Sequence, residues 1–246
     1  MDIVRYKLVL AYDGTAFSGM QRQANGRSVQ AEVEAALRSL GWMGKSILAA
    51  GRTDAGVHAW GQVIAFDLAW KHGVEGLLNA LNAKLPADVA ARQASVAAKD
   101  FHPRYDAKAR RYEYRLFFGP QRDPLRERYA WRVWPPVKLS RLQAAAKSFR
   151  GEHDFAAFGS PPKKRGSTVR RVLQAAWRRT SEDEFVFAVR ANAFLYHMVR
   201  RMVGLQVKVG QGAENEQAVR DALSVRMGMV RELAPPQGLC LVAVEY

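Results

Sequence analysis

One acidic residue, Asp54, stands beside an arginine in the segment AGRTDAGVH, residues 50–58, between two apolar runs. The glycines around it allow a ligand or another backbone segment to approach closely. No second acid and no Ser–His or Cys–His set lies nearby, so the segment gives no indication of hydrolysis. A lone carboxylate next to Arg52 fits covalent or electrostatic catalysis at an electrophilic carbon. The alternative is an ordinary Asx turn, which is also the interpretation of Asp13 in Tyr-Asp-Gly-Thr.

A second chemically unusual position is Arg200, which lies in the apolar segment 191–209. An arginine among Met, Val and Leu is costly unless it meets an anion. Its partner is predicted to be a structural Asp or Glu, a phosphate, or a catalytic carboxylate, and the residues alone leave these three open. His197 in the same segment is interpreted as a packed core histidine, because none of the five histidines pairs at metal-ligand spacing.

The charge of the chain indicates a polyanionic partner. Lys and Arg number 38 against 23 Asp and Glu, a formal net charge of +15 over 246 residues. Residues 1–104 hold 12 Lys/Arg and 9 Asp/Glu, whereas residues 105–246 hold 26 and 14. A surplus of this size favours nucleic acid first and a membrane surface second, and it places most of the binding charge in the second half.

Two basic clusters are candidate RNA contacts. RYDAKARRYEYR, residues 104–115, interleaves arginines with tyrosines, and SPPKKRGSTVRR, residues 160–171, has the composition of a loop. Arginines neutralise phosphates, and aromatic rings stack on unpaired bases. Tyr114 is interpreted as a core residue, while the role of Tyr112 stays open at this point. The Lys-Lys-Arg run of the second cluster is either a phosphate clamp or a solvated loop.

These residues must be positioned by elements that alternate between strand and helix patterns. The first half predicts strands at 4–12, 47–50, 62–66 and 88–97, with helices at 28–40, where Ser28 is the N-cap, and at 74–85. The second half predicts strands at 109–118, 169–179, 184–190 and 238–246, with helices at 139–149, 194–209 and 215–225. The order predicts an α+β fold of two ferredoxin-like (β-α-β-β-α-β) units with mainly antiparallel sheets and the active-site cleft between them. The expected domains are residues 1–104 and 105–246.

Cys240 is the only cysteine, so we expect no intrachain disulfide and no thiolate metal cluster. The N-terminal apolar run is too short for a signal peptide, and no window reaches the length of a membrane span. The chain is therefore expected to be cytoplasmic, with no membrane partner.

Four ordered motifs resemble one family over nearly the whole chain. AGRTDAGVHAWGQVIAF, residues 50–66, resembles the signature of the TruA family of tRNA pseudouridine synthases. The other similar segments are YDGTAFSGMQRQ, DFHPRYDAKARRYEYR and ANAFLYHMVRRMVG, and the closing strand GLCLVAVEY also resembles the family. One departure is Met20, which stands where the family usually has tryptophan.

The resemblance implies that uridine is isomerised to pseudouridine at positions 38, 39 and 40 in the anticodon stem-loop of tRNA. It implies that Asp54 is the nucleophile, attacking either the ribose or the uracil ring. Tyr112 would contact the uracil and remove the proton from carbon 5, and Arg200 would pair with Asp54 and keep it charged. The implied substrate-binding residues are Arg52, Tyr112, Arg110, Arg111, Lys163, Lys164 and Arg165.

The family resemblance also implies a homodimer that uses neither cofactor nor metal. Two rival functions follow from the composition and motifs. A non-catalytic RNA-binding protein would explain the charge and the tyrosines but not Asp54 or Arg200. A metal-dependent nuclease would require paired carboxylates, which the sequence does not contain near Asp54.

Overall fold

The computed structural model describes residues 2–161, 166–224 and 228–246, and the chain divides into two compact units. Unit 1 comprises Met1–Lys108 together with Leu241–Tyr246, and unit 2 comprises Ala109–Cys240. The sequence predicted a boundary at 104/105, four residues before the observed one. It also assigned the last six residues to the second domain, whereas they belong to unit 1.

Unit 1 contains both strands and helices. Its elements are β1 (Val4–Tyr12), α1 (Val29–Ser39), β2 (Leu48–Ala49), β3 (His58–Leu68), α2 (Gly73–Asn82) and β4 (Val89–Val96), followed at the end of the chain by most of β10 (Leu239–Glu245). A 3-10 turn at Gly14–Ala16 follows β1. The predicted order of strands and helices in this half is confirmed.

The sheet of unit 1 centres on β1, which lies between β3 and β4 and pairs antiparallel with both. β2 pairs with β3, also antiparallel, and β10 is the next strand beyond β3. Alternate side chains of β1 are buried, namely Tyr6, Leu8, Leu10 and Tyr12. Since successive side chains of a strand point to opposite faces, β1 turns this one face to the core.

Helix α1 begins where the sequence predicted. The Ser28 hydroxyl accepts a hydrogen bond from the Ala31 N–H, as an N-cap residue does. Val29, Val33 and Leu37 follow at helical spacing and are fully buried. The cap and the apolar face together fix the start of the helix and its side toward the core.

Unit 2 contains more elements than the sequence predicted. They are β5 (Ala109–Phe118), β6 (Trp131–Val133), α3 (Leu139–Lys147), β7 (Gly151–Asp154), β8 (Val169–Ser181), β9 (Glu184–Ala191), α4 (Met198–Gln211) and α5 (Glu216–Ser224). The strand order is β5-β9-β8-β7, all antiparallel, and β6 pairs parallel with β5. α3 packs on β8 and α4. The mixed α+β class with mainly antiparallel pairing is therefore confirmed.

Helix α4 does not begin at residue 194 as predicted. It begins at Met198, and His197 before it adopts the left-handed conformation with φ 64°. Tyr196 forms a bridge with Ser160 rather than continuing a helix. Within the described residues, no helix is long and apolar enough to cross a membrane.

Candidate active site

Asp54 lies in a turn, residues 51–57, that connects β2 to β3; this segment is named the Asp54 turn. Its side chain is half-buried, while the neighbouring Arg52 is exposed. The turn is closed by the Val57 N–H, which donates to the Asp54 carbonyl oxygen at 3.1 Å. Gly56 has φ 76°, a conformation that glycine adopts without the cost paid by other residues. The turn therefore presents the carboxylate from a closed backbone loop rather than from an extended segment.

The residue before Asp54 is fixed through both its side chain and its backbone. The Thr53 hydroxyl shares a buried hydrogen bond with the Tyr12 hydroxyl, 2.7 Å between Oγ1 and Oη. The Thr53 carbonyl accepts the N–H of Met20 at 3.1 Å. Met20 is itself buried. Gly19, with φ 104°, lets the chain approach, because a Cβ there would lie 2.7 Å from the Thr53 oxygen.

The residues after Asp54 are held by the segment that follows β1. The Gly56 N–H donates to the Phe17 carbonyl at 3.2 Å. The Gly14 N–H donates to Nδ1 of His58 at 3.0 Å, and Gly14 packs against the Val57 backbone. Asp13 Oδ1 lies 3.2 Å from the same Nδ1.

Asp13 performs the local role that the sequence predicted for it. Its Oδ1 accepts from the N–H of Thr15 at 3.0 Å and from the Thr15 hydroxyl at 2.6 Å. This Asx arrangement caps the 3-10 turn after β1. At Asp54 the backbone carbonyl accepts the Val57 N–H, and the residue before it is held through its own hydroxyl.

In unit 2, Tyr112 is half-buried in the middle of β5 and pairs with Val189 of β9. Its ring meets Phe194 edge-on, with 5.0 Å between the centroids. Tyr114, two residues on, is fully buried, which confirms its interpretation as a core residue. Its hydroxyl donates to the Pro235 carbonyl at 2.7 Å, and burial raises the pKa of this phenol well above its usual range.

Arg200 is half-buried in the first turn of α4. Its Nε donates to the Ala234 carbonyl at 2.8 Å, and the Ala234 N–H donates back to the Arg200 carbonyl at 3.2 Å. Arg201 donates through Nε to the Val230 carbonyl at 3.1 Å. The sequence argument considered only anionic partners for Arg200. The Ala234 carbonyl therefore accepts one of the hydrogen bonds of the Arg200 guanidinium and restricts its side chain.

The predicted substrate-binding residues fall into three groups. Arg52 and Arg111 are exposed, and Arg111 lies opposite Arg190 on β9. Arg110 is half-buried and donates to the Asn192 carbonyl at 2.9 Å. The Lys163, Lys164 and Arg165 prediction falls outside the described residues.

The comparisons with known proteins agree with one another. The family model described as tRNA pseudouridine synthase matches residues 8–106 and 145–246. This chain belongs to the tRNA pseudouridine synthase family. The synthase is 40% identical over 250 residues to tRNA pseudouridine synthase A of Limosilactobacillus fermentum, covering 98% of this chain and 96% of the relative. It is 40% identical over 241 residues to the Geotalea uraniireducens protein of the same name, covering 98% of each.

A solved structure, the archaeal box H/ACA sRNP Nop10–Cbf5 complex, is similar to the synthase with a TM-score of 0.38 and 15% identity. That similarity covers 82% of this chain and 44% of the other.

Family membership decides between the functional classes that the sequence left open. The synthase is an RNA-modifying isomerase that converts uridine to pseudouridine in tRNA, as the resemblance predicted. The matched segments contain Asp54 and Arg200, while Tyr112, Arg110 and Arg111 lie in the interval between the two segments. Among residues 2–161, 166–224 and 228–246, no group of three or more His, Cys, Asp or Glu could hold a metal ion.

Sequence reasoning missed the residues that hold the Asp54 turn. Tyr12, Gly14, Gly19 and Thr53 make these contacts, and three of them lie in the N-terminal motif that was noted only for its resemblance. The available signal was the pair of glycines at 14 and 19, since glycines permit close backbone approach. The sequence does not show which backbone segments these glycines approach, because that depends on the fold.

Proposed function

We propose that this synthase isomerises uridines 38, 39 and 40 in the anticodon stem-loop of tRNA, with Asp54 as the nucleophile. The observation that carries the proposal is the Asp54 turn, which is bonded to the segment 12–20 on both sides of a half-buried carboxylate. A nucleophile must be held within a small distance of the reacting carbon, and a turn with tied flanks meets that requirement. The carboxylate needs no metal or cofactor to attack carbon.

The reaction requires one bond exchange and no redox partner. The bond from ribose carbon 1′ to uracil nitrogen 1 breaks, and a bond from carbon 1′ to carbon 5 forms. Carbon 5 loses its proton and nitrogen 1 gains one, so atoms and charge balance overall. The aspartate forms a transient bond at the ribose or at the uracil ring and is released unchanged. The target base must leave its stack first, which costs a few kcal/mol.

Tyr112 and Arg200 complete the proposed chemistry. Tyr112 is positioned by β5 and by the edge contact with Phe194, and we assign it to uracil contact and proton removal from carbon 5. Arg200 is assigned to keeping Asp54 charged, since a guanidinium is always protonated and suits a carboxylate partner. Its bond to Ala234 supports this role by restricting the side chain.

The remaining parts of the proposal concern substrate contacts and assembly. Arg52 would help to hold the extruded nucleotide, and Arg110, Arg111 and the run 163–165 would contact phosphates. We also propose a homodimer acting in the cytoplasm, two units of the ferredoxin-like kind, and activity without cofactor or metal. Each unit supports the fold assignment through a mainly antiparallel arrangement of strands, with helices between some of them.

The test is an Asp54→Asn variant, which keeps the size and polarity of the side chain and removes its charge and nucleophilicity. Release of tritium from uridine labelled at carbon 5, in an anticodon stem-loop, measures the isomerisation directly. We expect no release above background, with tRNA binding retained. The matched control is Asp67→Asn on β3, which removes a carboxylate from a partly exposed ion pair with Arg5 and should leave tritium release unchanged.

Full tritium release by Asp54→Asn would remove Asp54 as nucleophile. Stem-loops that carry a single labelled uridine at 38, 39 or 40 test the positions separately. Release from uridines elsewhere in the tRNA, and none from these three, would overturn the proposed substrate site while leaving the nucleophile assignment intact.

A further inference from the structure

We propose that Tyr12 and Thr53 are positioning residues, and that the hydrogen bond between their hydroxyls sets the orientation of Asp54. This inference rests on the proposed role of Asp54 as nucleophile. Thr53 is the residue directly before Asp54, and its Oγ1 lies 2.7 Å from the Tyr12 Oη. Both side chains are buried, with Tyr12 5% and Thr53 6% exposed. The contact is therefore internal to unit 1 and shielded from water.

The Tyr12 end of this contact is rigid. Tyr12 is the last residue of β1, and it pairs with Ala59 of β3 on one side and Val89 of β4 on the other. A residue paired on both sides has little backbone freedom, and a tyrosine ring has only two side-chain torsions. The Tyr12 hydroxyl therefore has a well-defined position, to which the Thr53 hydroxyl is bonded.

The Thr53 end is constrained at two atoms. Its side chain is β-branched, which restricts the first torsion to few values. Its carbonyl is bound by the Met20 N–H at 3.1 Å. With both the hydroxyl and the carbonyl held, the peptide that joins Thr53 to Asp54 has a defined plane. The peptide that follows Asp54 is held as well, because the Asp54 carbonyl accepts the Val57 N–H at 3.1 Å. The two peptide planes together set the direction in which the Asp54 side chain leaves the backbone.

The choice of polar groups at a buried place supports a role in orientation. An apolar pair of the same shape would fill this space without requiring an alignment of hydroxyls. A hydrogen bond is directional, whereas apolar packing is not. Removing the hydrogen bond should therefore change the orientation of the Asp54 carboxylate more than the affinity for tRNA, because tRNA binding involves basic residues outside this contact.

The experiment is a double-mutant cycle with Tyr12→Phe, Thr53→Val and the double variant. Both changes remove only a hydroxyl function while keeping the volume nearly constant. We measure kcat and KM by tritium release, the equilibrium binding of tRNA, and Tm. Each single variant should lower kcat by about 10- to 100-fold, because displacement by about 1 Å costs up to about 100-fold, while KM and tRNA binding stay within about twofold.

The double variant should be no slower than the slower single variant, since both changes remove the same bond. Thr53→Ser keeps the hydroxyl and should retain kcat within a few-fold of the unaltered enzyme. Tyr6→Phe, on the same buried face of β1, is the matched control and should leave kcat unchanged. If Thr53→Val does not fold, Tyr12→Phe and Thr53→Ser still test the proposal.

Unaltered kcat in Tyr12→Phe would overturn the positioning role, as would single effects that multiply in the double variant. A loss in Thr53→Ser equal to that in Thr53→Val would show that the hydroxyl is not what matters. The two proposals fail separately. Activity in Asp54→Asn removes the nucleophile, whereas an inactive Asp54→Asn with active Tyr12→Phe removes only the positioning role.

Discussion

Replacing Gly14 by alanine should disturb the Asp54 turn from outside the catalytic residues. Gly14 lies after β1 and packs against the Val57 backbone, whose N–H closes the turn at the Asp54 carbonyl. A Cβ at residue 14 would lie 2.5 Å from the Val57 carbonyl carbon and 2.9 Å from its nitrogen. Ordinary contact begins near 3.4 Å and the Val57 carbonyl oxygen would lie closer still, so the two backbones would have to separate by more than about 0.9 Å.

That displacement has two expected consequences. Overpacking of this kind costs about 1–3 kcal/mol of stability, which lowers Tm by about 2–12 °C in a chain of this length. A shift close to 1 Å at a catalytic group lowers kcat by up to about 100-fold. The backbone atoms that Gly14 meets cannot rotate away as the end of a flexible side chain can. The added methyl group must therefore displace the Val57 backbone and, with it, the Asp54 turn.

The assay is thermal unfolding together with kcat from tritium release. Gly51→Ala is the matched control for stability, because it lies in the same turn and its Cβ would meet nothing within 4 Å. Its stability should stay within about 0.5 kcal/mol of the unaltered enzyme. A Gly14→Ala protein with the Tm and kcat of the unaltered enzyme would refute the reasoning, and so would an equal loss of stability in Gly51→Ala.

Three further predictions concern the elements around the site. Tyr114→Phe leaves the Pro235 carbonyl without its buried donor and should cost about 1–3 kcal/mol in urea unfolding. Burial raises the pKa of Tyr114, so the phenol ionises in the unfolded chain at a lower pH than in the folded protein. The contribution of Tyr114 to the free energy of unfolding is therefore present below about pH 10 and is lost as pH rises further. A Tyr114→Phe protein should lack this part of the loss of stability at alkaline pH. Ser28→Ala removes the acceptor of the Ala31 N–H and should cost about 1 kcal/mol in urea unfolding. Arg111→Gln should weaken tRNA binding and reduce the slope of log K against log salt by up to about 0.9, and an unchanged slope would exclude a phosphate contact.

The sequence predicted the elements whose signals are local. Ser28 followed by apolar residues at helical spacing placed α1 to within a residue at each end. The strands β6 and β7 were missed because three or four residues are too short for an alternating pattern to stand out. The start of α4 was placed four residues early because apolar residues at helical spacing continue before Met198. The helix nevertheless begins only after His197, which has a left-handed conformation. No periodic pattern encodes that break.

The candidate site was predictable only where one segment carries its own signal. Asp54 was identified because a lone acid between glycines beside an arginine is a local feature. The bond between Tyr12 and Thr53 joins residues 41 apart in sequence, and the bond between Arg200 and Ala234 joins residues 34 apart. Such pairings depend on which strands and loops become neighbours. The Ala234 carbonyl was not predicted as a partner of Arg200 for this reason, since a list of side chains contains no backbone carbonyls.

The bonds that hold the Asp54 turn are between neutral groups, and this bears on how the synthase combines rigidity with a charged substrate. N–H to carbonyl bonds and a hydroxyl pair hold the residues on both sides of Asp54. Neutral buried bonds are also insensitive to salt, whereas contacts between arginines and phosphates weaken as salt rises. The second half of the chain, with 26 Lys/Arg against 14 Asp/Glu, holds most of the charge available for tRNA. We therefore expect salt to act on how tightly tRNA is held, while the geometry of the Asp54 turn stays the same at every salt concentration at which the protein is folded.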